Sequence, residues 1–253
     1  MPEPDLTGKV AVVTGGSRGL GRQMSLAFAR HGATVVVASR KADACAVTAE
    51  EITRETGQEA IGLGCHVGDW AQCDALADAV YERFGRVDVL VNNAGASPLY
   101  PSLAEISEEL WDKVLAVNLK GAFRLSALIG TRMAAGDGGS IINISSIGSI
   151  APSAHELPYA AAKAGLNSLA GGMARAFAPH VRVNTIVAGT FLTDISKAWD
   201  MDAFERFAET RIPLQRGGRP EEIVGTALYL ASDVSSYTNG AAIVIDGGMT
   251  SSR

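Results

Sequence analysis

Short runs of β-branched residues alternate with longer amphipathic stretches along most of the chain. Val10–Val13, Thr34–Ala38, Val87–Val91, Ser140–Ile144, Val181–Ile186 and Ala242–Ile245 are runs of strand length dominated by apolar and β-branched residues. Between them the spacing predicts helices over 20–30 and about 43–56, 70–84, 107–133, 159–178 and 220–231, with Gly32 placed to stop the first. Strands that read as unbroken hydrophobic runs, separated by helices, imply a parallel sheet buried on both faces, because parallel neighbours need crossover connections. The expected fold is an α/β, Rossmann-type, doubly wound parallel sheet with helices on both faces. No linker-like tract interrupts residues 1–253, so a single domain is expected.

Composition narrows the classes of function. The 253 residues carry a net charge of −5, with 47% hydrophobic and 19% charged residues. That balance is globular, and it lacks the basic stripe that a nucleic-acid surface requires. There is no run of 18 uninterrupted apolar residues, and the acidic opening Met1-Pro2-Glu3-Pro4-Asp5 has no apolar core of a secretory signal. Cys45, Cys65 and Cys73 form no CxxC pair and read as buried thiols. A cytoplasmic protein without a nucleic-acid or membrane partner is expected, and no metal site is indicated.

The first turn carries chemistry. Between the first strand and first helix lies Thr14-Gly15-Gly16-Ser17-Arg18-Gly19-Leu20-Gly21. Arg22-Gln23 follows where a P-loop needs Lys-Ser or Lys-Thr, and Met24 stands where GxGxxG needs its third glycine. The spacing is instead GxxxGxG. Glycines here let the backbone approach a pyrophosphate that helix N-terminal amides then bind. A merely structural turn is the competing reading. At the end of the second strand, where an acid would hold a ribose diol, the chain has Ser39-Arg40-Lys41. Arg40, with Arg18 from the turn, would pair with a 2′-phosphate, so NADP is expected, with NAD the alternative. Both arginines are otherwise ordinary solvated charges.

A second constellation follows. Tyr159 and Lys163 are four residues apart at the start of an Ala-rich helix and share one face. Free tyrosine, with a pKa of ~10, is a poor acid-base group near neutrality. A lysine ammonium one turn away would favour phenolate and lower that value. Ser146 ends the fifth strand, at the sheet edge where ligands bind in this fold class. Asn118 interrupts an apolar helix as a buried amide bonded to a helix carbonyl, a role compatible with bridging a water toward Lys163.

These ordered motifs, with Asn92-Asn93-Ala94-Gly95 between them, resemble the short-chain dehydrogenase/reductase family of about 250 residues, from Gly8-Lys9-Val10 to Asp246-Gly247-Gly248. The resemblance implies that Tyr159 exchanges a proton with the substrate oxygen while hydride moves to or from nicotinamide. It implies that Ser146 bonds the same oxygen, that Lys163 tunes Tyr159 and holds the ribose, and that Asn118 anchors a relay water. Gly15, Ser17, Arg18, Gly19, Leu20, Gly21, Ser39, Arg40, His66, Val67, Asn93, Ala94, Gly95, Gly189, Phe191 and Thr193 would contact the cofactor. Asn92 is placed with Gly95 on the adenosine side. Ala188-Gly189 replaces the usual Pro-Gly, and His66 stands where an Asp usually faces adenine.

The segment from about 190 to 217 is the expected substrate lid, with Phe191, Trp199 and Phe207 as an apolar cover and Ser97 and His155 as further substrate contacts. The expected activity is NADP(H)-dependent interconversion of a small-molecule ketone and secondary alcohol. The resemblance leaves 3-oxoacyl thioesters, small ketones and steroid or cyclic alcohols open as substrates, with NAD-dependent oxidation of a sugar or polyol as the alternative. The turn 134–139 has no base for an acidic carrier protein, which weighs against carrier-bound substrates. Nucleotide-sugar epimerases share YxxxK but usually need an extra C-terminal domain. A redox sensor without turnover would not require Asn118, Ser146, Tyr159 and Lys163 together. Ala160, Ala164, Gly165, Ala170, Gly171 and Gly172 crowd one helix, consistent with the homotetramer that the resemblance suggests.

Overall fold

A computed structural model of the chain describes residues 3–194, 196 and 199–251. Met1 and Pro2 of the acidic opening, and residues 195, 197 and 198 of the expected lid, lie outside the described residues. Seven parallel strands form one sheet: β1 (Val10–Thr14), β2 (Thr34–Ser39), β3 (Ala60–Gly64), β4 (Val89–Asn92), β5 (Gly139–Ser146), β6 (Val181–Ala188) and β7 (Ala242–Ile245). Their order is β3-β2-β1-β4-β5-β6-β7. The order reverses between β1 and β4, which pair with Val13 opposite Val91. This topological switch opens a crevice at the carboxyl edge, where ligands of doubly wound sheets bind.

The strands are apolar on both sides because both sides are buried. Ala11 and Val13 of β1 join one core with Met24 and Phe28 of α1 (Gly19–Arg30) and with Ala227 and Leu230 of α8 (Val224–Ala231). Val10 and Val12 point the other way, onto Leu76 and Val80 of α3 (Trp70–Phe84), Leu125 and Ile129 of α5 (Gly121–Ala135), and Ala170 of α6 (Leu157–Ala176). The period-2 alternation of a strand thus feeds two helical layers. Local signals set the helix ends: Asp69 caps α3 by accepting the Gln72 amide, while α2 (Ala42–Thr56) and α3 stop at Gly57 and Gly85 in left-handed geometry.

Three elements depart from the sequence reading, the first being β3, which no apolar run announces. The expected helix over 107–133 is α4 (Glu108–Leu115), a π-helical turn over Ala116–Lys120, and then α5. The run Glu108–Ala135 is long and apolar enough by composition to cross a membrane, although no uninterrupted apolar stretch announces it. Val114, Leu125, Ile129 and Met133 on that run are all buried within the fold. The expected lid contains a further helix, α7 (Met201–Arg211), begun by Asp200, whose side chain accepts the Ala203 amide.

Candidate active site

The glycine turn leaves β1 at the switch point and is fixed from β4. Thr14 Oγ1 donates to the Val91 carbonyl at 3.1 Å and accepts the Asn93 and Ala94 amides at 3.0 and 3.1 Å. Asn93 Nδ2 donates to the Thr14 and Gly15 carbonyls at 2.9 and 3.2 Å. Gly15 has a φ of 63°. A Cβ on Gly21 would lie 2.3 Å from the Gly15 carbonyl oxygen, so the turn is compact only because both positions lack side chains. The residue before α1, Arg18, provides no side-chain cap, and the helix's first turn holds no acid. These amides and the helix dipole therefore present an uncompensated anion site.

The rim agrees with a nucleotide cradle. Ser17 Oγ donates to Ser39 Oγ at 3.0 Å, joining the turn to the end of β2. Arg18 and Arg40, the residues that follow each of these serines, are exposed. Thr193 faces the turn from the far side, its Cβ 3.5 Å from where a Gly19 side chain would begin. Gly95 lies between Asn118 and Lys163: a Cβ there would be 2.9 Å from Asn118 Oδ1 and 3.7 Å from Lys163 Nζ. An open, side-chain-free cradle over bare helix amides fits a dinucleotide. Bound there, the nicotinamide group would accept or donate hydride.

Asn92 points elsewhere. It is buried and its Nδ2 donates to Ser126 Oγ and Asn143 Oδ1, so it ties β4 to β5 and α5 rather than lining the adenosine side. Successive strand residues face opposite ways, and Asn93 takes the crevice side. His66, just beyond β3, uses Nδ1 to accept the Gly68 amide at 3.1 Å. Val67 is buried, with its carbonyl bonded by the Cys73 thiol.

Tyr159, Ser146 and Lys163 converge at the ends of β5 and α6. Ser146 Oγ accepts the Gly148 amide at 3.1 Å, and the serine lies close enough to Tyr159 to draw the phenol's pKa down. Lys163 Nζ donates to the Ile144 carbonyl at 2.8 Å and lies 5.6 Å from the centre of the Tyr159 ring. The acid-base balance differs from the sequence expectation that lysine lowers the tyrosine. Burial pushes Tyr159 up to about 12, opposed by Ser146 and assisted by the Glu156 carboxylate. Burial draws Lys163 down to about 8. Desolvation disfavours the charged form of each, and the ammonium is bonded to a backbone carbonyl.

The Asn118 amide is fully engaged. Its Oδ1 accepts the Ala96 amide at 3.1 Å, while Nδ2 donates to the carbonyls of Ala96 and Val114 at 2.8 and 2.9 Å. It thus clamps the loop after β4 onto the π turn, as the satisfied buried amide that the sequence suggested.

The substrate side is more open. Ser97 and His155 are exposed. Tyr100, which the sequence reading did not single out, joins their two loops: its hydroxyl donates to the Ala154 carbonyl at 2.8 Å and accepts the Leu157 amide at 2.9 Å. Glu156 was also missed; the only hint was an acid three residues before Tyr159. Phe191 is buried in the core and bridges to Gly218, so its ring anchors the segment instead of covering substrate. Gly189 lies tight against Asp246 and donates its amide to the Ile245 carbonyl at 2.8 Å. In the segment expected to be the lid, Trp199, Phe204 and Phe207 form an apolar cluster, with ring centres 5.5 and 6.4 Å apart. Among the described residues no group of acids, histidines and cysteines is placed to hold a metal.

Comparison with known proteins agrees with this architecture. Residues 15–250 match the family described as enoyl-(acyl carrier protein) reductase. The chain is 38% identical to D-threitol dehydrogenase of Mycolicibacterium smegmatis, covering 97% of this chain and 94% of that protein. It is 37% identical to 3-oxoacyl-[acyl-carrier-protein] reductase of Thermotoga maritima, covering 96% and 98%. L-sorbose reductase of Gluconobacter frateurii, solved with NADPH and L-sorbose, superimposes over 100% of both chains with a TM-score of 0.93 at 29% identity. The chain is an oxidoreductase of the short-chain dehydrogenase/reductase family.

Proposed function

We propose that the protein interconverts a secondary alcohol and a ketone with NADP(H) in preference to NAD(H), with Tyr159 as the proton-exchanging group. The observation that carries this reading is the packing of Tyr159 against Ser146 at the carboxyl edge of β5, beside a buried ammonium. Ser146 holds the substrate oxygen. Tyr159, neutral at physiological pH, gives that oxygen its proton in reduction and takes it back in oxidation. Lys163 biases the phenol toward ionisation as the proton leaves, and Asn118 keeps Ala96 and Gly95 in place beside it.

The 2′-phosphate preference rests on Arg18 and Arg40, which flank the linked serines Ser17 and Ser39 where an acidic residue is lacking. The NADPH bound by L-sorbose reductase supports the same reading. Steady-state oxidation of NADPH and NADH by wild type and Arg40→Asp is the test. Wild type should favour NADPH by at least tenfold in kcat/KM, and the variant should lose or invert that preference. Equal use of both cofactors by wild type contradicts it.

A homotetramer goes with this proposal. Ala164 and Gly172 leave an exposed, small-residue stripe on α6, whereas Ala160 and Ala170 of the expected contact face turn into the core. Trp70, Trp111 and Phe123 are exposed on the neighbouring helices. Light scattering at micromolar concentration checks the mass. A cytoplasmic location is in keeping with three free, buried cysteines.

A further inference from the structure

Glu156 occupies the turn before α6, three residues from Tyr159 and therefore on the same side of the helix start. Its carboxylate lies against Gly148: a Cβ on that glycine would be 2.6 Å from Glu156 Oε1. Gly148 is the residue whose amide is bonded to Ser146 Oγ. Through Gly148 the carboxylate is one residue removed from Ser146, and its charge reaches Tyr159 and disfavours the phenolate. It is only half-buried, and burial raises its own pKa, with the Ser153 amide offsetting part of the rise. Among the described residues no cation compensates it.

An uncompensated carboxylate next to the Ser146–Gly148 turn has two consequences. It accepts hydrogen bonds from hydroxyl groups, and charge-assisted bonds of this kind are about twice as strong as neutral ones. It also repels a second anion, more strongly where water is partly excluded. We infer that Glu156 selects the substrate: it receives a second hydroxyl of a neutral diol, polyol or sugar whose reacting oxygen sits on Ser146 and Tyr159, and it rejects substrates with a carboxylate or phosphate beside the reacting carbon. This rests on the assignment of Ser146 and Tyr159 to the reacting oxygen and narrows the substrate class within it. Glu156 does not share in proton or hydride transfer. Its role is recognition, and Gly148 is required because any side chain there would displace the carboxylate.

The test compares D-threitol with D-threonate, which differ by a terminal carboxylate, as substrates for NADP⁺-dependent oxidation. Wild type should prefer threitol. Glu156→Gln should reduce the threitol-to-threonate ratio of kcat/KM by about tenfold, mainly through KM, and Glu156→Asp should retain part of the preference. A ratio unchanged in Glu156→Gln, or a parallel fall on both substrates, overturns the inference. Wild type that oxidises neither compound yet reduces simple ketones with NADPH also overturns it, while leaving the proposed reaction standing. Inertness toward every ketone and alcohol sinks the proposed reaction instead. Glu156 is then judged by calorimetric titration of threitol into the NADP⁺-loaded protein: binding weakened at least fivefold in Glu156→Gln supports it, and absent or equal binding overturns it.

Discussion

Lys163 Nζ donates to the carbonyl of Ile144 at 2.8 Å, two residues before Ser146 on the same strand. A second bond, from Ser145 Oγ to the Lys163 carbonyl at 3.4 Å, closes the same junction from the strand side. The lysine therefore fastens the first turns of α6 to the end of β5, which suspends Tyr159 beside Ser146. It does so as an ammonium that is 3% exposed.

That burial makes a prediction about stability. The folded value of Lys163, about 8, lies below its unfolded value of 10.5. The unfolded chain binds the extra proton between those values, so this group destabilises the fold fully below about pH 8 and progressively less up to about 10.5. Lys163→Met should abolish turnover yet stabilise the fold at pH 7. The gain expected is about 1–2 kcal/mol, because relief of roughly 3 kcal/mol of desolvation is partly offset by the unpaired Ile144 carbonyl. Urea unfolding at pH 7 and pH 9.5 checks it, and the gain should shrink at the higher pH. A variant less stable than wild type at pH 7 contradicts it.

Tyr159 makes the two directions of reaction respond differently to pH. With a value near 12 it is a neutral phenol at pH 6–8 and ready to donate. Reduction should be nearly flat across that range. Oxidation needs the rarer phenolate and should rise about tenfold per pH unit, then flatten above about 8 as the Lys163 ammonium that favours phenolate is lost. Tyr159→Phe should lower kcat by about 10²–10⁴ in both directions. Initial rates in both directions from pH 6 to 9 decide; an oxidation profile flat from 6 to 8 contradicts the assignment.

What the residues announced and what they hid differ for physical reasons. The buried strands were readable because parallel strands covered on both faces need unbroken apolar runs. β3 was not, since Ala60-Ile-Gly-Leu-Gly64 is a partly exposed edge strand with one β-branched residue. The glycine turn and the Tyr159–Lys163 pair are each local in sequence, so spacing alone exposed them. The π turn at Asn118 depends on the Ala96 backbone, 22 residues away, and the Glu156–Gly148 contact joins separate loops. No local period encodes either. Burial also changed the acid-base balance, which helix spacing could not show.

The crowding in the glycine turn distinguishes two kinds of glycine. A methyl group at Gly21 would meet the Gly15 carbonyl oxygen at 2.3 Å, backbone against backbone, so neither side can yield. Gly21→Ala should weaken NADPH binding more than tenfold and cost about 1–3 kcal/mol. Gly225→Ala, in α8 with no atom within 4 Å of the added methyl, should instead stabilise by about 0.5–1 kcal/mol. Fluorescence titration of NADPH and thermal melts of the two variants read both effects. Undiminished NADPH binding by Gly21→Ala would remove the cradle from the cofactor site.

Asn118 gives a test of the loop clamp. Two of its three bonds are donations to carbonyls, of Ala96 and Val114. Replacing the amide with a carboxyl in Asn118→Asp turns those donors into acceptors and sets a buried negative charge against two carbonyl oxygens. Burial and carbonyl repulsion should raise the new carboxyl above its unfolded value. A folded value raised in this way contributes stability at low pH and loses it as pH rises through the folded value. The variant should therefore lie closer to wild type at pH 5 than at pH 7.5, where the deficit should reach about 3 kcal/mol. Lys163 Nζ lies across Gly95 from this position and would act in the opposite sense. A deficit that narrows between pH 5 and 7.5 would mean that the ammonium, not the two carbonyls, governs the charge at this site. Asn118 would then be placed by electrostatics and not by its bonds to Ala96.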